Sequence, residues 1–446
     1  MSAKERLLIE GAAVVSADVE RGDLASGDIL IEGDTILEVA SRIREPRARV
    51  IDGRSWIVSP GFVDTHRHTW LSTARHSYGD VDPRRYFAEV LGGAGPRYTP
   101  EDVHTATLLG SVSALSAGTT TLMDWAHIQN TPAHADAGLD ALEQSGIRAV
   151  YGHGWPLTAD GTWTEQSVLH HPGDLRRLVA DREGSSGGRI SLALAARGPE
   201  MASSEVWRDE IRLARDLGVR ISVHVGAYAH NAGVGAVRQY ADAGLLGSDM
   251  TFVHCSHSDD GELTLIAEAG ATVSLGVHCE LNSQGIGDIP LDRLLDRGIR
   301  PSLSGDNETK CSGDMFTQMR ALFAYYRSWV GGGHSSVSQP HALTLRDVFE
   351  FATIEGARTL GLEAVTGSIT PGKRADLIFT RASDLNLAPV SDPLAALVLG
   401  AHEGNIDTVF VDGRIVKQGG RMLGIDVDAL LVRARESQRR LYPGLA

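Results

Sequence analysis

The sequence has few cysteines, and their number and spacing limit the chemistry to be expected. Only Cys255, Cys279 and Cys311 occur in 446 residues, and they match no zinc-finger spacing. A sparse and odd set of cysteines is typical of a reducing cytoplasm rather than of a disulfide framework. We therefore expect a cytoplasmic protein whose cysteines serve packing.

Long apolar runs and an excess of positive charge are also absent. No run reaches the roughly 18 apolar residues that a membrane-spanning helix requires, and residues 1–10 lack the apolar segment of a secretory signal. The formal net charge of −15 at pH 7 disfavours binding to nucleic acid or to an anionic membrane. The sequence thus predicts an enzyme that acts on a small molecule, with neither nucleic acid nor membrane as a partner.

The centre of the chain alternates short β-rich runs with amphipathic helical segments such as Pro100–Ser116. The strand candidates are Phe62–Asp64, Thr119–Met123, Arg148–Tyr151, Ile190–Ala195, Arg220–His224, Met250–His254, Ala271–Gly276 and Ile299–Ser304. Eight strand–helix repeats predict a (β/α)8 barrel, since right-handed crossovers join neighbouring parallel strands. A doubly wound open sheet is disfavoured because no Gly-X-Gly-X-X-Gly follows the first strand.

Both ends of the chain carry short β-rich segments, and neither end is large enough to bury a strong core alone. We therefore predict an α/β protein in which a small β-sandwich, built from residues 1–58 and 363–425, flanks a barrel at 59–362. Helical spacing of leucines predicts a C-terminal helix within 426–446.

Polar side chains recur where the predicted barrel strands end, which is where barrels of this kind place their active sites. The first of these strands ends in Asp64-Thr65-His66-Arg67-His68. Alternation along a strand predicts that Asp64, His66 and His68 face the same side and that Arg67 braces the barrel from the other.

A metal site can be built from these strand ends. His66, His68, His224 and Asp306 supply three imidazoles and one carboxylate, a set that suits one divalent ion, zinc first, with iron or cobalt as alternatives. Such an ion lowers the pKa of a bound water from about 15.7 toward about 7. Asp306 would also accept the proton of that water, and His254 would bind the substrate oxygen or ring nitrogen.

Further candidates for contact with substrate are the strand-end residues Trp125, His127, His153, Arg197, His278 and Glu308. The three histidines fit a pocket wall as well as a catalytic role. Arg197 fits a substrate acid as well as an internal carboxylate. Trp70, Trp125 and Trp155 each follow a strand end, and they fit an aromatic pocket for a ring substrate as well as ordinary loop packing.

The sequence resembles the amidohydrolase superfamily, in the subgroup of cytosine, guanine and adenosylhomocysteine deaminases and triazine hydrolases. The matching segments are Ser59–His68, Ala117–Thr121, His224, Phe252–Cys255, Leu303–Asp306, Gly367–Leu377 and Val411–Gly413. The resemblance implies a barrel with a split β-sandwich, a homo-oligomer and a hydrolytic metal site. It also implies that His66, His68, His224 and Asp306 are the metal ligands and that His254 binds substrate.

Two residues that relatives use are missing. The fourth predicted strand has no lysine that could be carbamylated to bridge two metals, which favours one ion over the pair seen in dihydroorotase and urease. Deaminases of the subgroup usually place a glutamate three residues after the fifth-strand histidine, whereas this chain has Ala227 there. Ammonia is a poor leaving group unless it is protonated. Another acid could serve instead, and the candidates are Glu308, Glu280, His278 and His127.

The favoured hypothesis is therefore a metal-dependent hydrolase that attacks a C–N bond, by deamination of a nitrogen heterocycle or by amide-like cleavage. Ala227 keeps open a different leaving group, as in a urea, carbamate, thiocarbamate or C–Cl substrate. A metal-dependent lyase or isomerase, or a binding homologue without turnover, are the alternatives from other classes.

Overall fold

The fold is described from a computed structural model, which covers residues 5–158, 166–182 and 188–445. The strands are β1 Arg6–Val14, β2 Leu24–Glu32, β3 Thr35–Ala40, β4 Arg49–Asp52, β5 Trp56–Pro60, β6 Phe62–Arg67, β7 Thr119–Ala126, β8 Arg148–His153, β9 Ile190–Ala196, β10 Arg220–Val225, β11 Met250–His254, β12 Thr272–Leu275, β13 Ser302–Leu303, β14 Leu377–Arg381, β15 Ile406–Val411, β16 Arg414–Gln418 and β17 Arg421–Met422. The α-helices are α1 Pro83–Tyr86, α2 Pro100–Ser116, α3 Pro132–Ser145, α4 Leu175–Arg182, α5 Ser204–Asp216, α6 Ala236–Asp242, α7 Asp260–Glu268, α8 Val277–Asn282, α9 Leu291–Asp296, α10 Met315–Gly331, α11 Leu345–Phe351, α12 Ile354–Thr359, α13 Pro393–Ala395 and α14 Val427–Leu441.

The central strands form the predicted barrel. Strands β6 to β13 pair in chain order, and each neighbouring pair is parallel. The ring closes just after β13, where the Asp306 N–H donates to the His66 carbonyl and the His68 N–H donates to the Asp306 carbonyl, both at 2.9 Å. This closure confirms the (β/α)8 barrel and excludes the open sheet. It also brings the carboxyl ends of all eight strands to one mouth.

A second, mixed sheet joins the two ends of the chain. Its strand order is β17-β16-β15-β14-β5-β1-β2-β3, with β4 paired to β1. The junction is the antiparallel pairing of β5 with β14, in which Pro60 lies opposite Leu377. The small domain predicted from both termini is thereby confirmed. Its boundaries at residues 58 and 362 stay predictions, and residues 1–4, 159–165, 183–187 and 446, which those ranges include, lie outside the described residues.

Gly61 lies between the mixed sheet and the barrel. A Cβ atom at this position would lie 2.0 Å from Thr120 Oγ1, far inside van der Waals contact. Glycine therefore lets the two sheets approach closely at the point where the chain passes from β5 to the first barrel strand.

The C-terminal helix α14 packs on the outside of the barrel. Leu430 and Ala434 join the buried cluster that contains Leu108 and Val112 of α2, and the Ser437 hydroxyl donates to Asp102 at 2.8 Å. The helix predicted for this tail is therefore present. Within the described residues, no helix is both long and apolar enough to cross a lipid bilayer.

Candidate metal centre and its cavity

Four side chains from three distant parts of the chain meet at the barrel mouth. His66 and His68 come from the end of β6, His224 from β10, and Asp306 from the segment after β13. One ligand atom from each imidazole lies within 4.8 Å of the others, and the Nε2 atoms of His66 and His224 are 3.1 Å apart. Asp306 Oδ1 lies 3.5 Å from His66 Nε2 and 3.4 Å from His68 Nε2. The structure thus brings the four predicted ligands together.

The protonation states of this cluster suit a cation. Burial lowers the pKa of His66, His68 and His224, so these imidazoles are neutral and can act as ligands. Burial favours the neutral carboxyl of Asp306, but a hydrogen bond with His66 and the neighbouring imidazoles hold its pKa well below the ordinary value. The Trp125 carbonyl lies 2.9 Å from His68 Nδ1 and fixes that ring. Three neutral imidazoles and a carboxylate fit a divalent ion of the zinc type.

Asp64 does not face this cluster, and the prediction that it shares the side of His66 and His68 is wrong. Its Oδ2 atom accepts from Arg67 Nη1 at 3.1 Å, and its Oδ1 atom accepts from the Gly305 N–H at 3.0 Å. The cause is a register shift between Asp64 and Arg67 in the pairing of β6 with β7, which interrupts the two-residue alternation.

Arg67 is the centre of a buried ion network behind the site. Its guanidinium donates to Asp64 and to the Gly313 carbonyl, the latter at 2.8 Å, and its Nη2 atom lies 3.0 Å from Glu308 Oε1. Its side chain is only 2 % exposed. Arg67 therefore braces the barrel, as its position in the sequence suggests.

Glu308 belongs to this network as well. Its second oxygen, Oε2, accepts from Arg75 Nε at 3.0 Å and from the Ser72 hydroxyl at 3.1 Å. Burial favours the neutral carboxyl, but Arg67 and Arg75 outweigh burial and lower its pKa. Glu308 is therefore ionised at neutral pH and has no proton to give to a leaving group.

His254, at the end of β11, is held by a carboxylate. Its Nδ1 atom lies 2.9 Å from Glu280 Oε1, which also accepts from the Gly276 N–H at 2.9 Å. Burial opposes the charged imidazole, but Glu280 outweighs burial and raises the pKa of His254. Its ring centroid is 5.5 Å from that of His224. Glu280, one of the candidate acids, thus orients His254 and leaves its Nε2 atom for a substrate.

A cavity of about 840 Å³, including the open space at its entrance, lies over the cluster. Its lining contains seven of the predicted site residues: His68, Trp125, His127, Arg197, His224, His254 and Asp306. Its apolar wall is formed by Tyr86, Phe87, Leu91, Met201, Tyr228 and Ile286. A mostly apolar cleft with a few convergent polar groups is typical of a site for a small organic molecule.

Three predicted contact residues are placed along this lining. The Trp125 ring centroid lies 4.4 Å from that of His224, and the His127 centroid lies 4.5 Å from that of His68. The Arg197 guanidinium stacks 3.3 Å above the Trp155 ring and donates to the Ser167 hydroxyl at 2.8 Å. Burial lowers the pKa of Arg197 to about 10, so this group remains a cation at neutral pH.

The other candidate contact residues, His153, His278 and Glu308, are not among the described residues that line the cavity. His153 Nδ1 lies 3.1 Å from His171 Nε2, and burial lowers the pKa of His153 to about 3. His278 Nδ1 accepts from the Ser312 N–H at 3.1 Å. Trp70 lies behind the lining and approaches His127 with its indole N–H at 3.4 Å. Contact between substrate and His153, His278 or Glu308 therefore stays a prediction that this placement does not favour.

Two charged residues of the cavity were not predicted from the sequence. Glu200 follows β9, is 7 % exposed, and accepts from the Gly226 N–H at 2.7 Å. Lys310 follows the β13 end, is 6 % exposed, and places its Nζ atom 4.8 Å from the Tyr86 ring. Their positions shortly after strand ends were the only signal in the sequence, and that signal is shared by many ordinary loop residues.

The comparison with known proteins agrees with this geometry. Residues 57–416 match the amidohydrolase family. A 5-methylthioadenosine/S-adenosylhomocysteine deaminase of Symbiobacterium thermophilum is 30 % identical over 98 % of this chain and 99 % of its own. The chain belongs to the amidohydrolase family. The predicted class is thereby confirmed, and this amidohydrolase is a metal-dependent hydrolase that acts on C–N bonds.

Two other proteins extend the comparison of this amidohydrolase. A 5′-deoxyadenosine deaminase of Methanosarcina mazei is 27 % identical over 98 % of both chains. The crystal structure of an adenosine deaminase from Xanthomonas campestris with bound zinc superposes with a TM-score of 0.86 at 21 % identity, covering 98 % of both chains. The structural match confirms the fold of barrel and small domain.

Proposed function

We propose that this amidohydrolase deaminates an amino-substituted nitrogen heterocycle, a 6-aminopurine nucleoside in the first place, with one zinc ion at His66, His68, His224 and Asp306. The observation that carries the proposal is the position of this cluster, which opens directly on the apolar cavity beside His254. The deaminase names of the relatives at 27 % and 30 % identity support the substrate class.

Each polar group has a part in the proposed reaction. His66, His68, His224 and Asp306 would hold a divalent ion, which would supply activated water at neutral pH. Asp306 accepts a proton from the attacking water, and a low pKa keeps Asp306 ionised for this purpose. His254, whose pKa is raised by its pairing with Glu280, donates from Nε2 to the atom on which negative charge develops. One ion is favoured over two because β9 (ISLALAA) contains no lysine.

The remaining cavity surface suits a flat ring. Trp125, Tyr86, Phe87 and Tyr228 line it with aromatic groups, and such groups bury ring substrates through their faces and edges.

We place the protein in a reducing cytoplasm, a proposal supported by the three cysteines, which are all free and buried. The homo-oligomer implied by the family stays a prediction.

A second candidate function is hydrolysis with a leaving group other than ammonia. Ala227 lines the cavity three residues after His224, where the subgroup's glutamate would lie. Without a carboxyl group on that residue, a leaving group that departs without a proton, such as chloride, is the alternative.

Zinc-loaded protein should release ammonia from 6-aminopurine nucleosides, and protein stripped by a chelator should retain less than about 1 % of that rate. The measurement is a coupled ammonia assay across aminopurines, aminopyrimidines and aminotriazines, run before and after addition of zinc. A parallel assay with the 6-chloro analogues and with ureas is the control for the second candidate. Turnover of the chloro or urea substrates alone would refute deamination.

A further inference from the structure

We propose that Glu200 is the acid that protonates the leaving amine, in place of the carboxylate that this chain lacks at residue 227. This inference rests on the proposed deamination. It assigns a catalytic role to a residue of the loop after β9, whereas the four metal ligands come from β6, β10 and the segment after β13.

The position of Glu200 supports the assignment. Its Oε1 atom accepts from the N–H of Gly226, the residue immediately before Ala227, at 2.7 Å. Gly226 has a φ of +58°, and a Cβ atom there would lie 2.9 Å from the Ser258 nitrogen, so a side chain at this bend would be strained. The bend after β10 thus presents a backbone donor instead of a side chain, and Glu200 fills the adjoining space. Its carboxyl and Ala227 line the same cavity.

The second oxygen of Glu200 is free to act. Among the described residues, Oε2 accepts no hydrogen bond, whereas Oε1 accepts from the Gly226 N–H. Burial raises the pKa of Glu200 to about 7, Glu262 adds to the rise, and the Gly226 N–H and His254 oppose it. A carboxyl with this pKa is protonated in a large fraction of molecules at neutral pH and can cycle between acid and base.

The other acids near the site are committed elsewhere. Glu308 is ionised by two arginines. Glu280 accepts from His254 and from the Gly276 N–H through Oε1, and it is not among the described residues that line the cavity. Asp306 is a ligand with a lowered pKa. Among the described lining residues, Glu200 is therefore the one carboxyl group that can carry a proton toward the cavity.

For an aminoheterocycle, Glu200 both gives and recovers a proton. The Glu200 carboxyl gives its proton to the amino nitrogen of the adduct formed with water, and the C–N bond breaks with its electron pair on nitrogen, which leaves as NH₃. One proton of the consumed water, accepted first by Asp306, ends on the ring nitrogen of the product. The other returns to Glu200 as the new carbonyl forms, and the group is ready for the next cycle.

The leaving group provides a sharp test with Glu200→Gln. For an amino substrate, kcat/KM should fall about 100-fold or more, because the amine must be protonated to depart. For the chloro analogue of the same ring, the loss should stay below about threefold, since chloride departs without a proton. A merely structural role would lower both rates alike, and equal losses would overturn the proposal. Glu205→Gln, an exposed glutamate of α5, is the matched control and should change neither rate.

A second measurement needs no turnover. In zinc-loaded full-length protein, ¹³C NMR of the glutamate Cδ atoms should show two carboxyls that titrate close to neutral pH, because burial raises the pKa of both Glu200 and Glu210 to about 7. Only the Glu200 signal should disappear in Glu200→Gln. A Glu200 signal titrating near the ordinary value of about 4.3 would refute the proposal. Failure of the proposed function has a different signature, because the wild-type protein would then release ammonia from no aminoheterocycle while Glu200 could still titrate near neutral pH.

Discussion

Replacing Asp306 with Asn should lower kcat by about 1000-fold or more, the loss expected when a general base is removed together with a metal ligand. The carboxylate lies 3.4 and 3.5 Å from the imidazole nitrogens of His68 and His66, so the amide removes negative charge from the centre of the cluster. The polypeptide should still fold, because the backbone hydrogen bonds that close the barrel at residue 306 do not involve its side chain. Steady-state kinetics measure the fall in kcat, zinc analysis measures the bound metal, and a thermal melt shows whether the variant folds.

Asp288→Asn is the matched control for this variant. Asp288 is exposed in the loop after α8, so its substitution removes the same charge without touching the cluster. Rate and zinc content should match those of the wild-type protein. If Asp306→Asn kept its zinc and lost less than about tenfold in kcat, Asp306 would be neither the essential base nor an essential ligand.

Replacing Arg67 with Met should lower the free energy of unfolding by about 3–5 kcal/mol, the cost of leaving buried charges without their partner. The guanidinium nitrogens lie 3.1 Å from Asp64 Oδ2 and 3.0 Å from Glu308 Oε1, and all three side chains are almost fully buried. Met retains most of the apolar volume, so the loss reports mainly on the charge. Denaturant unfolding of the two proteins side by side gives the difference.

The pH dependence of this loss has a defined sign. Without Arg67, the pKa values of Asp64 and Glu308 in the folded protein rise above those in the unfolded chain. A carboxyl group whose pKa is raised by folding stabilises the folded protein at low pH, and this stabilisation is lost as the pH increases. Asp64 already has a pKa of about 6 from burial in the wild-type protein. The deficit of Arg67→Met should therefore be larger at about pH 8 than at about pH 5.

Arg84→Met provides the matched control for Arg67→Met. The Arg84 side chain is 93 % exposed and pairs with Asp82 at 3.3 Å, so its loss should leave the free energy of unfolding essentially unchanged. A similar, small change in both variants would contradict the account of Arg67 as a buried brace.

The barrel and its ligands could be predicted because both depend on regular patterns. Parallel strands place their carboxyl ends at one mouth, so His66, His224 and Asp306 could be joined although they lie far apart in the chain. Asp64 shows the limit of that reasoning, because one register shift in β6 turned its side chain toward Arg67. Such a shift depends on the pairing with β7 and leaves no mark in the sequence of β6 alone.

The carboxylate partners of the site could not be predicted, since each depends on how a loop folds. Glu200 meets the amide of a residue 26 positions later, and Glu280 meets a histidine 26 positions earlier. His153 lies at the end of β8 as expected, whereas His278 lies in α8, beyond the end of β12. Their rings contact His171 and the Ser312 N–H in neighbouring loops. Position at a strand end fixes where a Cα atom lies, whereas the direction of the side chain follows from tertiary contacts.

The proposed deamination depends on a single divalent ion bound by His66, His68, His224 and Asp306. Diffraction from crystals of zinc-loaded protein, recorded on both sides of the zinc absorption edge, tests it most directly. One anomalous peak should lie about 2.0–2.2 Å from an imidazole nitrogen of each histidine and from a carboxylate oxygen of Asp306. A second peak at the barrel mouth, or none among these four side chains, would contradict the account.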